Sequence, residues 1–312
     1  MQVTQAIITL SIIFTTLYSF GLVACQLLYK DKKFDIFFQF LVGYIFIGSM
    51  TVIFHFFFKI NNFYSLSIIL LSLFLFSTKL SKINKLGYLK LILIFLFSAF
   101  LLLAYSDHPI DTNMYHHPYV AYLKSEKIIF AVANIQFRFG HISFLQYVQA
   151  ALSNDYFDLI SLASINVIFY FCFIIFLSKE IINTKKINFV FIVKVLVGSF
   201  LLIKFARYRE HGNDLIPLLV SLYFFIKIIN INKNDFLSKK DLLNLSLPFL
   251  AFIFSHKISY ILAFLIFLPL YNFNKLRFIY EIKTIYFLFF IVMLIPWLTK
   301  NYVTTSCLAY PI

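Results

Sequence analysis

The sequence predicts an all-α polytopic membrane protein, with about ten transmembrane helices and a range of roughly eight to eleven. Of its 312 residues, 62% are hydrophobic and 13% are charged, and the mean hydropathy is +0.89. Soluble domains carry about 25% charged residues, and a soluble core could not hide this much Phe, Leu and Ile. Apolar runs long enough to cross about 30 Å of hydrocarbon recur along the chain, which favours spanning helices.

The apolar runs give the expected spans in chain order. They cover residues 6–29, 36–58, 63–78, 89–105, 159–178, 189–206, 215–229, 242–255, 259–273 and 284–299. The third, seventh, eighth and ninth runs are short, so some of them could be tilted, broken or merged. We expect a single transmembrane domain over residues 1–312, and the chain could be incomplete at its C-terminus because it ends just past the last run. The N-terminus lacks the basic region and cleavage site of a signal peptide, so the first run should be a retained helix.

The basic residues lie in small groups between the apolar runs. Every second loop holds such a group: Lys30, Lys32 and Lys33; Lys79, Lys82 and Lys85; Lys179, Lys185 and Lys186; Lys233, Lys239 and Lys240; Lys275, Arg277 and Lys283. By the positive-inside rule these loops are cytoplasmic and the N-terminus is outside. The net charge of +14 therefore indicates orientation in a bilayer, and we predict no nucleic-acid partner.

The histidines also lie on the predicted external side, although only Lys and Arg were used to assign the two sides. His55 lies near the outer end of the second run, and the others fall in or beside predicted external segments: His108, His116, His117, His141, His211 and His256. We therefore expect the functional chemistry at the external face. Cys25, Cys172 and Cys307 show no spacing typical of a disulfide framework or a metal knuckle.

The external segment 106–158 is too long for a simple connector. Its aromatic and charged stretch 115–124 suits a helix lying in the membrane interface, and 144–152 could be a second interfacial helix or a re-entrant one. Pro118 argues against one uninterrupted helix. We expect this loop to form part of the transmembrane domain.

Asp111 is the first candidate catalytic residue. A partly desolvated carboxylate at the membrane–water boundary can act as a general base toward an incoming hydroxyl. Asp111 also opens an Asp-Thr-Asn sequence that suits the N-cap of an interfacial helix. The adjacent His116 and His117 cannot both face one ion from a helix, and their spacing from Asp111 matches no metal-ligand pattern. We predict no cofactor and no metal, although these residues are compatible with a divalent cation.

The next external segment, 206–214, clusters arginines and acids where the chain re-enters the membrane. Arg207 could bind a phosphate or carboxylate through its planar guanidinium group. It could equally pair with Glu210 or Asp214, and Asp214 could instead cap the following helix. Both a binding site and a solvated loop fit this segment.

His256 and Lys257 lie between two short apolar runs at the external side. A lysine at this end of a helix could extend to the interface, pair with Asp111 or Glu210, or hold a lipid phosphate. Arg138 lies in an aromatic part of the long loop, where on its own it is typical of an ordered loop.

These residues resemble a pattern found in a family of uncharacterised bacterial polytopic membrane proteins. The matching pieces are Asp111-x-x-x-Tyr115-His116, Glu126, Ala133-Asn134, Arg138-x-Gly140-His141-x-Ser143, Arg207-x-x-Glu210-His211-Gly212-x-Asp214, His256-Lys257-x-Ser259 and residues 301–311. That family in turn resembles the GT-C type of membrane glycosyltransferases, such as protein mannosyltransferases and lipid A aminoarabinose transferases.

The resemblance implies a GT-C-like fold and transfer of a sugar from a polyprenyl-phosphate donor to a glycan, lipid or protein acceptor of the cell envelope. It matches Asp111 to the essential acid, although that acid normally follows the first helix and Asp111 follows the fourth run. The best matches for contacts with the donor phosphate are Arg207 and Lys257, with Arg138 third. It adds further substrate-binding residues: Tyr115, His116, Glu210 and His256.

Two alternatives remain open at this point. A lipid or sugar transporter would place ionisable residues near the bilayer midplane, whereas the polar groups here lie at one face. A polysaccharide polymerase or ligase of the external face would also use outer Arg and His residues, but would favour long external loops between later helices. The membrane lipid is a partner in every case.

Overall fold

The computed structural model describes residues 3–29, 34–80, 85–103, 112–155, 163–184, 186–204, 212–230, 236–257, 260, 262–263, 265 and 284–308. All regular structure in these ranges is helical. The α-helices are α1 (Val3–Tyr29), α2 (Ile36–His55), α3 (Asn62–Leu80), α4 (Lys85–Leu103), α5 (His117–Ser125), α6 (Val132–Ile135), α7 (Phe144–Leu152), α8 (Ser164–Ile182), α9 (Phe189–Ile203), α10 (Leu215–Ile229), α11 (Phe236–His256) and α12 (Thr284–Thr305). A π-helical turn (Thr112–His116) precedes α5, and a 3-10 turn (Phe137–His141) follows α6.

Five of the described helices are long and apolar enough to cross a membrane. They contain Val3–Leu28, Ile36–His55, Leu86–Leu103, Ser164–Ile182 and Thr284–Thr305. Shorter apolar helical stretches cover Asn62–Thr78, Phe189–Ile203, Leu215–Ile229 and Asn244–His256. The protein is therefore an α-helical membrane protein, and the larger number of ten spans stays a prediction.

Each predicted run except the ninth coincides with a described helix. The ninth run, 259–273, lies largely outside the described residues. The predicted interfacial helix at 115–124 is divided into the π-helical turn and α5, with Pro118 in the first turn of α5. Proline is accepted there because the first helical N–H groups have no partner within the helix.

Helices α1 and α2 pack closely because glycines lie at their crossing. A Cβ atom on Gly43 would overlap the carbonyl oxygen of Leu17, and one on Gly21 would overlap the carbonyl oxygen of Gln39. Small residues let two backbones approach in a membrane, where lipid offers no hydrophobic force to drive helices together. The two glycines therefore allow the close approach of α1 and α2.

An ion cluster joins four helices at the end of the bundle where α2 begins. The Lys227 ammonium lies 3.5 Å from an Asp35 carboxylate oxygen and 3.4 Å from one of Glu180. Lys194 approaches Glu180 at 3.6 Å, and the Tyr223 hydroxyl donates to Asp35 at 2.9 Å. These residues belong to the start of α2, the ends of α8 and α10, and the first half of α9. The pattern of basic groups assigns these helix ends to one side of the membrane. That this side faces the cytoplasm stays a prediction.

Candidate functional site

Helix α7 occupies the opposite end of the bundle and is buried along its whole length. All nine of its residues are buried, and it packs against α2, α3, α5 and α11. A nine-residue helix is about 13 Å long, far less than the thickness of a bilayer. A Cβ atom on Gly48 of α2 would overlap the ring of Phe144, so α7 lies directly on α2 at its first residue. A short buried helix of this kind can carry polar side chains into the protein interior.

Gln146 of α7 joins three separate segments through its side-chain amide. Its Oε1 accepts hydrogen bonds from the Ser143 backbone N–H at 2.9 Å and from the Ser143 hydroxyl at 2.5 Å. The first of these bonds is the Gln146 half of a capping box with Ser143. Its Nε2 lies 2.9 Å from Nδ1 of His116 and donates to Oδ1 of Asn213 at 2.7 Å. Every donor and acceptor of this buried amide is therefore used.

The same bonds define the protonation of His116. A backbone N–H can only donate, so the Ser143 contact identifies the oxygen of the Gln146 amide and leaves the nitrogen facing His116. His116 Nδ1 must accept from that nitrogen, because the amide NH₂ group has no acceptor capacity. The proton of the neutral ring is therefore on Nε2, and His116 is 7% exposed.

A second chain of bonds continues from Asn213 to α11 and α2. His256 Nδ1 lies 3.1 Å from the backbone carbonyl oxygen of Asn213, which can only accept. His256 Nε2 lies 2.7 Å from the hydroxyl of Tyr44, a fully buried residue of α2. In the neutral ring Nδ1 donates and Nε2 accepts from the tyrosine hydroxyl. Both ring nitrogens of His256 are thus occupied by protein groups.

These residues form one continuous structure, which we call the Gln146 network: Tyr44, His116, Gln146, Asn213 and His256. It brings together three of the segments that the sequence singles out, namely 112–116, 212–214 and 256–257. The contacts join residues as far apart as positions 44 and 256 in the chain. The convergence of these segments is a product of the fold and follows from no local spacing.

Lys257 forms an ion pair beside this network. Its ammonium lies 2.6 Å from Oδ1 of Asp214, and the two side chains are 47% and 45% exposed. The structure thus places Lys257 beside the acid that starts α10. Its pairing with Asp111 or Glu210, which lie outside the described residues, stays a prediction. Asp214 occupies the N-cap position of α10 without a side-chain capping bond, because its carboxylate faces the lysine. Half-exposed groups of this kind remain accessible to a ligand.

Arg138 and Tyr115 lie together at the edge of the long loop. The guanidinium carbon of Arg138 is 5.5 Å from the ring centroid of Tyr115 and 5.8 Å from that of Phe137. Cation–π contacts of this kind hold a guanidinium group in place while leaving its N–H donors available. In the part of the chain that the structure describes, no carboxylate is paired with Arg138.

Three predicted site residues, Asp111, Arg207 and Glu210, lie outside the described residues. The described chain resumes directly after the first at Thr112, which is 1% exposed. It resumes two residues after Glu210 at Gly212, whose carbonyl oxygen accepts a hydrogen bond from Asn166 at 3.0 Å. The described ends of both segments are thus held against the bundle.

Lys300 of α12 is a polar residue that the sequence analysis missed. Its ammonium donates to the carbonyl oxygen of Ile142 at 3.0 Å and to Oδ1 of Asn301 at 3.1 Å, and it lies 4.3 Å from the ring centroid of Trp297. The residue is 1% exposed. The last predicted run ends at residue 299, whereas α12 continues to Thr305 and includes this lysine. A lone lysine among Trp, Leu and Thr at a helix end was the available signal.

The charge of Lys300 also affects the pKa of His141 in the long loop. Burial lowers the pKa of His141 below its usual 6.5, and the positive charge of Lys300 lowers this pKa further. His141 is therefore a neutral ring at physiological pH.

Among the described residues, no three His, Cys, Asp or Glu side chains lie close enough together to hold a metal ion.

Comparison with known proteins gives a family for the whole chain. A family model described as "Domain of unknown function (DUF8201)" matches residues 4–312. The chain belongs to this family. No curated protein and no solved structure matches it. In this DUF8201 protein the Gln146 network binds the segments around His116, Asn213 and His256 to one another, and the half-exposed Lys257 lies beside it.

Proposed function

We propose that this protein is a GT-C-like membrane glycosyltransferase of the plasma (inner) membrane. It transfers a sugar from a polyprenyl-phosphate donor to a glycan, lipid or protein acceptor of the cell envelope at the external face. The ten-span topology with an external N-terminus belongs to this proposal, as does the role of Asp111 as general base.

The observation that carries the proposal is the convergence of segments on Gln146. His116 follows Asp111 by five positions, and Asn213 follows Glu210 by three. Gln146 bonds both His116 and Asn213 at 2.9 and 2.7 Å, so the described ends of the two segments meet at one amide. Such a meeting is what a shared site of the acid and the basic residues requires.

The chemistry needs two kinds of group, a base for the acceptor hydroxyl and cations for the leaving phosphate. The acceptor hydroxyl oxygen attacks the anomeric carbon while the bond between that carbon and the phosphate oxygen breaks. The polyprenyl phosphate leaves with the electron pair of that bond, and the hydroxyl proton passes to the Asp111 carboxylate. One carboxylate is sufficient for an inverting displacement of this kind, and cations stabilise the leaving phosphate.

The described cations support the second requirement. Lys257 is paired with Asp214 but is 47% exposed, and an ammonium group has three donors. Arg138 is held by the rings of Tyr115 and Phe137 with its donors available. With Arg207 they supply the positive charge for the donor phosphate. His116 and His256 position the site through their bonds to Gln146, Asn213 and Tyr44.

The test is a pair of matched carboxylate substitutions in the same loop. Membranes containing Asp111→Asn should contain normal amounts of protein and transfer no labelled sugar from a polyprenyl-phosphate donor. Glu126→Gln is the control, because Glu126 is an exposed acid of the same loop and should leave transfer intact. Retained transfer by Asp111→Asn would remove Asp111 from the catalytic role.

A further inference from the structure

One buried polar side chain of α7, that of Gln149, has no hydrogen-bond partner in the part of the chain that the structure describes. Gln149 is 1% exposed, and this holds for both its amide oxygen and its amide nitrogen. An amide buried without hydrogen bonds is costly, because both of its polar atoms lose the water that bound them in the unfolded chain. A serine in a helix can return its hydroxyl to the preceding turn, but a glutamine has no such local solution. The residue therefore needs an explanation.

The position of Gln149 points to the Gln146 network. Residues three apart are neighbours on one face of a helix, so the amide of Gln149 lies one turn from that of Gln146. The two glutamines differ in one respect: the amide of Gln146 uses all of its donors and acceptors within the protein, and that of Gln149 uses none. The first amide links segments of the protein, and the second has both polar atoms without a partner among the described residues.

A second unpartnered group lies at the start of α8. The hydroxyl of Ser164 is fully buried and has no hydrogen-bond partner among the residues that the structure describes. Two residues later, Asn166 donates to the carbonyl oxygen of Gly212, next to the Asn213 that Gln146 binds. Gln149 and Ser164 therefore each lie within a turn of a residue that holds the 212–213 turn.

The chemistry of these groups defines the ligand. An amide offers two donors and an acceptor without charge, and a hydroxyl offers one donor and an acceptor. Neutral groups of this type match a sugar hydroxyl, which also donates and accepts. A phosphate, by contrast, would be bound by cations. We propose that Gln149 binds a hydroxyl group of the sugar carried by the donor lipid, with Ser164 as a second contact; this inference rests on the proposed glycosyltransferase function.

Selectivity among ligands follows from the free-energy cost of leaving the buried amide of Gln149 unpaired. A site built to bind a hydroxyl rejects an analogue that lacks it, because the buried amide is then left unpaired again. Gln149 would therefore distinguish the sugar-bearing lipid from the bare polyprenyl phosphate.

The first arm of the test measures stability without ligand. Gln149→Met keeps the volume of the side chain and removes the unpaired amide, so the midpoint of thermal unfolding should rise by about 2–4 °C. Gln146→Met, one turn earlier, is the matched control and should lower the midpoint. An unchanged or lower midpoint for Gln149→Met would show that the amide is already satisfied, which overturns the inference.

The second arm measures the shift of this midpoint by polyprenyl phosphate, bare or carrying glucose, mannose, galactose or arabinose. The wild-type protein should respond more strongly to at least one sugar-bearing lipid than to the bare lipid. In Gln149→Met this difference should disappear, with the response to the bare lipid retained. A wild-type response that is equal for all these lipids overturns the role of Gln149 and keeps the proposed donor class. No response to any of them overturns the proposed function and this inference with it.

Discussion

Replacing Gln146 by Met removes the centre of the Gln146 network while it preserves the shape of the side chain. Four hydrogen bonds are lost: two from Ser143, one to His116 and one to Asn213. Each such bond contributes about 1 kcal/mol net, and each buried group left unpaired costs about 1–3 kcal/mol. Because some partners can regain water, we expect a loss of about 3–5 kcal/mol in the free energy of unfolding.

The assay uses the protein's own thiols. Cys25 and Cys172 are buried, so a thiol-reactive fluorophore reports their exposure as the protein unfolds in detergent. At about 2–4 °C per kcal/mol, the midpoint should fall by roughly 10 °C. Leu145→Met is the control, since this fully buried neighbour on α7 tolerates a swap that conserves volume. A fall of less than 2 °C (roughly 1 kcal/mol) for Gln146→Met would refute the view that this amide holds the segments together.

Three further predictions concern the surrounding structure. Gly43→Ala should greatly reduce the amount of folded protein in the membrane, because the new methyl group overlaps the backbone of Leu17 and neither helix backbone can move aside at low cost. Normal protein levels on a blot would contradict the close crossing of α1 and α2. Glu180→Gln should lower the unfolding midpoint. It should be rescued in part by Lys194→Met, because Glu180 is the only carboxylate paired with Lys194 among the described residues, whereas additive losses would argue against coupling. The ring of His141 should titrate below 6.5 by NMR, so stability should rise with pH between its folded pKa and 6.5; a titration at or above 6.5 would contradict its burial beside Lys300.

Much of the helical framework could be predicted from the sequence. The run 215–229 coincides with α10 at both ends, and 144–152 coincides with α7. These elements are encoded locally, by apolar length between polar ends and, for α7, by a Ser143 that caps it together with Gln146. The relative directions of four helices, α2, α8, α9 and α10, fit the alternation of the basic groups, because the ion cluster of Glu180 joins the ends that this alternation assigns to one side. The orientation of the bundle in the membrane stays a prediction.

The contacts of the site were harder to predict from the sequence, because they join residues that are far apart in the chain. The sequence offers Lys257 several roles but does not indicate its ion pair with Asp214, 43 residues away. It likewise gives His256 a role in binding substrate without indicating that Tyr44 and Asn213 occupy both ring nitrogens. Nothing in the spacing of a histidine shows that a tyrosine 212 positions away will reach it.

Gln146 and Gln149 show the limit of sequence reasoning most clearly. Both stand in the same short apolar stretch, and their spacing predicts one shared face of a helix. Only the folded structure distinguishes the amide with four hydrogen bonds from the amide with none. Residue type and position were therefore available from the sequence, but the use of each polar atom was not.

Glycosyl transfer by this protein is tested most directly by the release of polyprenyl phosphate from a sugar-bearing polyprenyl-phosphate donor in proteoliposomes. Purified wild-type protein should release the lipid phosphate in step with appearance of the sugar on an acceptor hydroxyl. The same preparation of Asp111→Asn should release none, while Glu126→Gln releases as much as wild type. Transport of intact donor across the bilayer without cleavage, or equal release by Asp111→Asn and wild type, would contradict the proposed reaction.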